Sequence, residues 1–259
     1  KSSTLLKPFV RRAIRAVEKR SRNRLEIILY HSVSRQENPF NVAGRNIHPT
    51  LFEAQMKYLQ EHYQIISLEE ASRRIREAKS HRKPLASVCF DDGYASSVTE
   101  AYPILQRMKI PATIFVCGSV AGNTDLLWRD KVRFIEQKRL ESDFVDFIRR
   151  GKTSSCYQFE SLVNMSFYQW SKSILGINNM AIQEDLSTFF QKMGIDSAEI
   201  AAKHDLFLSP DQIHANYDGL TFSNHSWSHP LMTLLDREAQ QKEIRRNDLW
   251  LRELGIHTE

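Results

Sequence analysis

The sequence predicts an α/β fold built on a parallel β-sheet, open or closed into a barrel. Two observations carry that prediction. Short apolar runs alternate with helix-periodic stretches between residues 25 and 118, and the same alternation resumes after residue 219. Two of the runs, "LASVCF" and "GLTFSN", also lead directly into clusters of Asp and His. In parallel α/β folds, functional side chains gather where strands end at their C-terminal edge. The length of 259 residues, with 41% hydrophobic and 26% charged residues, suits one large α/β domain or two small ones.

Residues 1–24 stand apart from this pattern. Nine basic residues against Glu18 alone give the segment a charge of +8, when the whole chain carries only +5. Leu6, Val10, Ala13 and Val17 recur on one helical face. The expectation is a basic amphipathic N-terminal helix that lies on an anionic membrane surface or packs its apolar stripe on its own domain. The basic residues are not interleaved with stacking aromatics, so no nucleic-acid partner is expected. No apolar run approaches the ~18 residues that cross a membrane. No secretory leader pattern is visible from Lys1 onward.

The body, residues 25–259, reads in order. "LEIILYH" (25–31) is a buried strand. "HPTLFEAQMKYLQEHY" (48–63) is a helix, with a proline near its start and Leu51, Phe52, Met56 and Leu59 as its apolar positions. "QIISL" (64–68) is a short strand and "EEASRRIREA" (69–78) a helix. "LASVCF" (85–90) is the next strand, residues 94–108 the next helix and "ATIFVCG" (112–118) a further strand. From 123 to 216 the alternation breaks into a helical insertion, clearest at 126–137 and 180–194. "GLTFSNH" (219–225) restores a strand, and residues 230–255 form a long helix with Pro230 as its first residue. Cys89 and Cys117 fall in strand-like runs and are expected to be reduced and buried. Cys156 completes an odd set with no C-x-x-C spacing, which argues against a cysteine zinc site. Neither a G-x-G-x-x-G nor a G-x-x-x-x-G-K-S/T motif is present, so a dinucleotide or P-loop site has no support.

The chemistry sits at two strand exits. Asp91 and Asp92 are adjacent carboxylates after a buried strand, an arrangement that forms a solvated turn or needs a positive partner. His225 and His229 follow a second strand at H-x-x-x-H spacing. A carboxylate with two imidazoles is an open site for Zn²⁺ or a similar divalent ion. One aspartate would bind the cation and the other would be left free to accept a proton. His31 ends a strand on the same rim, and a structural hydrogen-bonded role is expected for it. Trp227 can stack on a sugar or simply pack. Trp128, Phe134, Phe144 and Phe147 are expected in the insertion's own core. Ser226 lacks a G-x-S-x-G elbow, which removes serine hydrolysis.

"FDDG" after one strand and "HSWSH" after another resemble the first two motifs of the polysaccharide deacetylases, the NodB-homology domain of carbohydrate esterase family 4. "ILYHSV" and "FEAQMKYLQEHY" leading into "QIISLEEA" resemble that family's N-terminal region. The resemblance spans about residues 25–122 and 205–255. It implies a distorted (β/α) barrel and metal-dependent removal of N-acetyl groups from an amino-sugar glycan. By that resemblance Asp91 is the catalytic base, and Asp92, His225 and His229 hold the metal, most simply Zn²⁺. Two alternatives stand beside it: a deformylase or deacetylase of a lipid-linked sugar, and a non-catalytic glycan-binding relative. Bacterial cytoplasm, membrane surface and cell envelope are all compatible locations. The family's third motif, of Arg and Pro/aromatic type, and its later Leu-x-His do not follow "HSWSH" within residues 230–259, and the five expected strands do not close a barrel. The expectation is a domain truncated at its C-terminus or a degenerate relative.

Overall fold

The computed structural model describes residues 25–35, 40, 46–77, 83–151, 157–172 and 181–257. The expected basic helix of residues 1–24 lies outside the described residues, as does Cys156. No helix among the described residues is long and apolar enough to cross a membrane.

The α/β expectation is met. Five parallel strands form one sheet: β1 (Leu25–Tyr30), β4 (Gln64–Ile65), β5 (Leu85–Phe90), β6 (Ala112–Val116) and β7 (Leu220–Asn224). Its main path runs β1-β5-β6-β7, and β4 pairs with the first two residues of β5. Two further short strands, β2 (Ser32–Val33) and β3 (Asn46–Ile47), pair parallel in a sheet of their own. No pairing among the described residues closes the main sheet. β5 is buried at all six positions, as expected of a central parallel strand covered on both faces.

Helices connect the strands, and local chemistry sets their ends. Helix α1 (Pro49–His62) starts behind the His48 side chain, which accepts from the Thr50 backbone N–H, with Pro49 in the first turn. It buries Phe52, Met56 and Leu59 on one face. Helix α2 (Leu68–Arg76) is capped by Ser67, with Glu69 and Glu70 in the first turn and arginines in the last, as the helix dipole favours. The expected single helix over residues 94–108 is divided. A π-helical turn at Ser97–Ala101 precedes helix α3 (Tyr102–Met108). Pro103 has no N–H to give an ordinary helical hydrogen bond, and the Tyr102 N–H reaches back to the Ser97 carbonyl, closing the wider turn.

The interrupted region after β6 is helical, as expected. It holds α4 (Trp128–Lys138), α5 (Glu141–Arg149), α6 (Phe167–Lys172), α7 (Ala181–Lys192), α8 (Ser197–Lys203) and α9 (Pro210–His214). Phe144, Phe189, Trp170, Leu186 and Ile148 bury there in an aromatic-rich cluster, and Trp128 belongs to it. That cluster also takes in Tyr94 and Cys117, so the region packs directly on the strand ends rather than standing off them. Helix α10 (Arg237–Glu253) corrects one expectation. Pro230 is not its first residue. Asp236 caps it by accepting from the Ala239 N–H, and a single 3₁₀ turn at Met232–Leu234 fills the approach.

Candidate metal centre

The strand exits deliver the site. Past β5, the ladder continues one residue, as the Asp91 N–H donates to the Tyr30 carbonyl at 2.9 Å. The chain then turns through two left-handed residues, Asp92 (φ 72°) and Gly93 (φ 73°). Asp tolerates that region better than most side chains, and a Cβ on Gly93 would meet Val116 Cγ1 at 3.1 Å. This turn drives the Asp92 side chain inward, where it is completely buried, and leaves Asp91 on the rim at 17% exposure. Segment 206–208 pins the turn: Leu208 N–H donates to the Gly93 carbonyl and Ala95 N–H to the Leu206 carbonyl.

The loop after β7 is held as firmly. His225 N–H continues the ladder to the Val116 carbonyl at 3.1 Å, and Ser226 N–H donates to Asn224 Oδ1 at 2.8 Å. Ser226 (φ 64°) and His229 (φ 57°) are both left-handed, so the loop doubles back and returns the second imidazole to the first. Four residues fix this path. Asn247 of α10, itself fully buried, accepts from Gly118 N–H and donates to the Val116 carbonyl and Asn224 Oδ1. Glu243 of the same helix accepts from both the backbone N–H and the hydroxyl of Ser228, at 2.8 and 3.1 Å. Ser119 N–H donates to the Trp227 carbonyl, and Trp128 of α4 donates its indole N–H to the His229 carbonyl at 2.8 Å.

The four residues expected at the site therefore converge. His229 Nε2 lies 3.2 Å and His225 Nε2 3.4 Å from Asp92 Oδ1, and His225 Nε2 is 3.7 Å from Asp91 Oδ2. Ligand atoms of Asp92, His225 and His229 all fall within 4.8 Å of one another, close enough to share one ion. His225 Nε2 is buried and makes no hydrogen bond, so a ring nitrogen points into the notch with nothing to satisfy it. One carboxylate and two imidazoles around such an orphaned nitrogen fit a divalent cation of the zinc type.

The adjacent aspartates differ electrostatically. Burial raises the Asp91 carboxyl above the usual carboxylate range, and the charge of Asp92 adds to this against the pull of His225. Burial also opposes the Asp92 charge, but the facing imidazoles of His225 and His229 and the guanidinium of Arg129 outweigh it and hold this carboxyl well below that range. Burial lowers His229 and favours the neutral imidazole that a metal requires.

Several readings change with the geometry. His31 Nε2 comes within 3.9 Å of Asp92 Oδ2, placing it on the rim of the site. Trp227 packs: a Cβ on Gly118 would strike it at 2.5 Å, and Arg246 stacks over its ring at 4.0 Å. Trp128 belongs to the aromatic cluster as expected but also holds the His229 carbonyl. Arg129 escaped the sequence reading altogether, though its Nη2 lies 3.0 Å from Asp92 Oδ1. Within "LLWRDKVRFIEQ" it looks like one more solvated helix charge, and nothing in the periodicity sets it apart.

Known proteins resemble this chain in sequence. The sequence model of the polysaccharide deacetylase family matches residues 78–142 and 187–258, which include both strand exits. The Bacillus subtilis (strain 168) protein YxkH, whose name marks it as a candidate polysaccharide deacetylase, is 31% identical over 141 residues. That match takes in 53% of this chain and 48% of the relative, so the chain spans about half the length of the curated relative it matches. Among solved structures, a Streptococcus pyogenes deacetylase, PplD, in complex with acetate aligns with 90% of this chain and 70% of its own at a TM-score of 0.49 and 16% identity. A polysaccharide deacetylase from Bacillus cereus aligns with 90% of this chain and 48% of its own at a TM-score of 0.48 and 15% identity. With the family's model matching more than half of this chain and both motif-bearing turns inside the match, this chain belongs to the polysaccharide deacetylase family.

Proposed function

We propose that this protein is a metal-dependent hydrolase that removes N-acetyl groups from amino-sugar residues of a polysaccharide. The observation that carries the reading is the convergence of Asp92, His225 and His229 beside a fourth group, Asp91, that shares their rim. Asp92, His225 and His229 would hold a divalent ion, most simply zinc, which supplies Lewis-acid polarisation of the amide carbonyl.

The chain's own residues do the rest. Asp91 takes the proton from the attacking water, a role suited to a partly exposed carboxylate whose proton affinity burial raises. Asp92 is buried and held ionised, so it binds and orients but does not exchange protons near neutrality. The Trp128 hydrogen bond and the Glu243 carboxylate fix the loop on which both imidazoles ride, so their ring nitrogens need not reorganise on binding. Family membership supports amide hydrolysis on an acetylated glycan, and the donor set supports the metal.

The test is acetate release from N-acetylglucosamine oligomers by protein stripped with a chelator and then given back zinc. Restored release supports the reading. Protein that binds zinc and the oligomer yet releases no acetate would identify a glycan-binding relative instead.

A further inference from the structure

The first turn of α4 presents three consecutive residues to the site. Trp128 donates to the His229 carbonyl at 2.8 Å. Asp130, 1% exposed, accepts from the Tyr94 hydroxyl at 3.1 Å, two residues beyond Asp92. Between them, Arg129 aims Nη2 at Asp92 Oδ1 (3.0 Å), Asp92 Oδ2 (3.3 Å) and His229 Nε2 (2.6 Å). In that contact the guanidinium donates and the imidazole nitrogen accepts, so Arg129 takes up a lone pair that a metal would use. Arg129 Nε is buried without a hydrogen-bond partner.

A guanidinium has no lone pair to offer a cation and stays charged at any pH a protein survives. It cannot join the coordination shell. Nη2 and a divalent ion would compete for Asp92 and His229, and like charges held that close repel.

We propose that Arg129 is an internal counter-ion that keeps the ligand set assembled without metal and is displaced when the cation enters. This rests on the metal-centre reading above. Asp92 is completely buried, and a carboxylate left there alone carries a large desolvation cost. Arg129 removes that cost in the metal-free protein, so the site is preformed rather than collapsed. Trp128 and Asp130 anchor the backbone on either side of it, so the exchange requires only that the Arg129 side chain swing away while α4 stays docked. The consequence is a thermodynamic handicap on metal capture, because part of the binding free energy goes into breaking the Arg129 contacts.

The experiment is a zinc titration of the chelator-stripped full chain against a competing chromophoric chelator, with metal-free and zinc-loaded melting temperatures measured alongside. Arg129→Gln should bind zinc at least about tenfold more tightly than wild type. Its metal-free melting temperature should fall by several degrees, and zinc should bring the two proteins back together. Arg129→Lys keeps a buried positive charge and guards against a folding defect; its ammonium lacks the guanidinium's reach and fork and holds Asp92 and His229 less well, so its affinity should lie between the other two. Unchanged or weaker zinc binding in folded Arg129→Gln, while wild type binds zinc, would overturn the exchange and leave the metal centre standing. Failure of all three proteins to bind zinc would refute the metal centre and the exchange together.

Discussion

Asp92 and His229 meet at 3.2 Å, and both do so from left-handed backbone, at φ 72° and φ 57°. Asp92 lies two residues past the end of β5, and His229 closes the loop that follows β7. Non-glycine residues in this region are uncommon and cost energy unless their surroundings impose the conformation. Here the surroundings do so, through the 206–208 segment on one side and Glu243, Asn247 and Trp128 on the other.

The two aspartates should separate cleanly on mutation. Asp91→Asn is expected to reduce turnover by roughly 10²–10⁴-fold with zinc affinity nearly unchanged, because a base is lost and the ligands remain. Asp92→Asn should lose zinc affinity and also strip Arg129, at 11% exposure, of its carboxylate counter-charge, at a cost of about 3–5 kcal/mol of stability. Isothermal titration and a denaturant melt on each variant check this. Equal losses of metal affinity in both would reverse the assignment.

Glu243 touches neither the notch nor its ligands, yet it should matter to both. Its carboxylate holds Ser228, the residue before His229, through two hydrogen bonds. Glu243→Ala should weaken zinc binding by about 10–100-fold, the usual cost of removing a group that orients a ligand. Glu243→Gln keeps one acceptor oxygen and should recover part of it. A purely structural role would lower the melting temperature without moving zinc affinity.

Gly118 should tolerate no side chain. A Cβ there would lie 2.5 Å from the Trp227 ring and 2.8 Å from Asn247 Oδ1, and Asn247 is the clamp joining β6, β7 and α10. Gly118→Ala is expected to cost about 1–3 kcal/mol in urea unfolding, the range for overpacking a filled core. A midpoint unchanged from wild type would mean the clamp is soft.

The cysteines make a chemical prediction. Burial, reinforced by the charge of Asp91, pushes the Cys89 thiol up to about 11, and burial likewise raises Cys117. With their ionisation moved upward, both stay protonated at pH 8, where only a thiolate would alkylate. Iodoacetamide should leave Cys89 and Cys117 unlabelled in native protein and modify both in denaturant, read by peptide mass spectrometry. Rapid native labelling of either would contradict their place in the core.

What the sequence made legible follows from where its signals are local. The β5 run is apolar at nearly every position and leads into two carboxylates, so both its burial and its chemistry show in the eight residues 85–92. His225 and His229 were readable because Pro230 breaks the helix that would otherwise absorb them, although the loop continues seven residues further than a proline start suggests, to the Asp236 cap. The divided helix at Ser97–Ala101 was less accessible, because Pro103 permits either a kink or a clean helix start. Arg129, Glu243 and Asn247 were not legible at all. Each lies on a helix whose own periodicity accounts for it, and its role arises only when strands distant in the sequence bring Asp92, Ser228 and Val116 to it.

The most direct test is X-ray absorption on the zinc-loaded protein, paired with anomalous diffraction at the zinc edge. The account predicts one bound zinc with two imidazole nitrogens and a carboxylate oxygen at about 2.0–2.2 Å, assigned to His225, His229 and Asp92, with Asp91 uncoordinated beside it. A zinc bound elsewhere, or one ligated by Asp91 in place of Asp92, would contradict it.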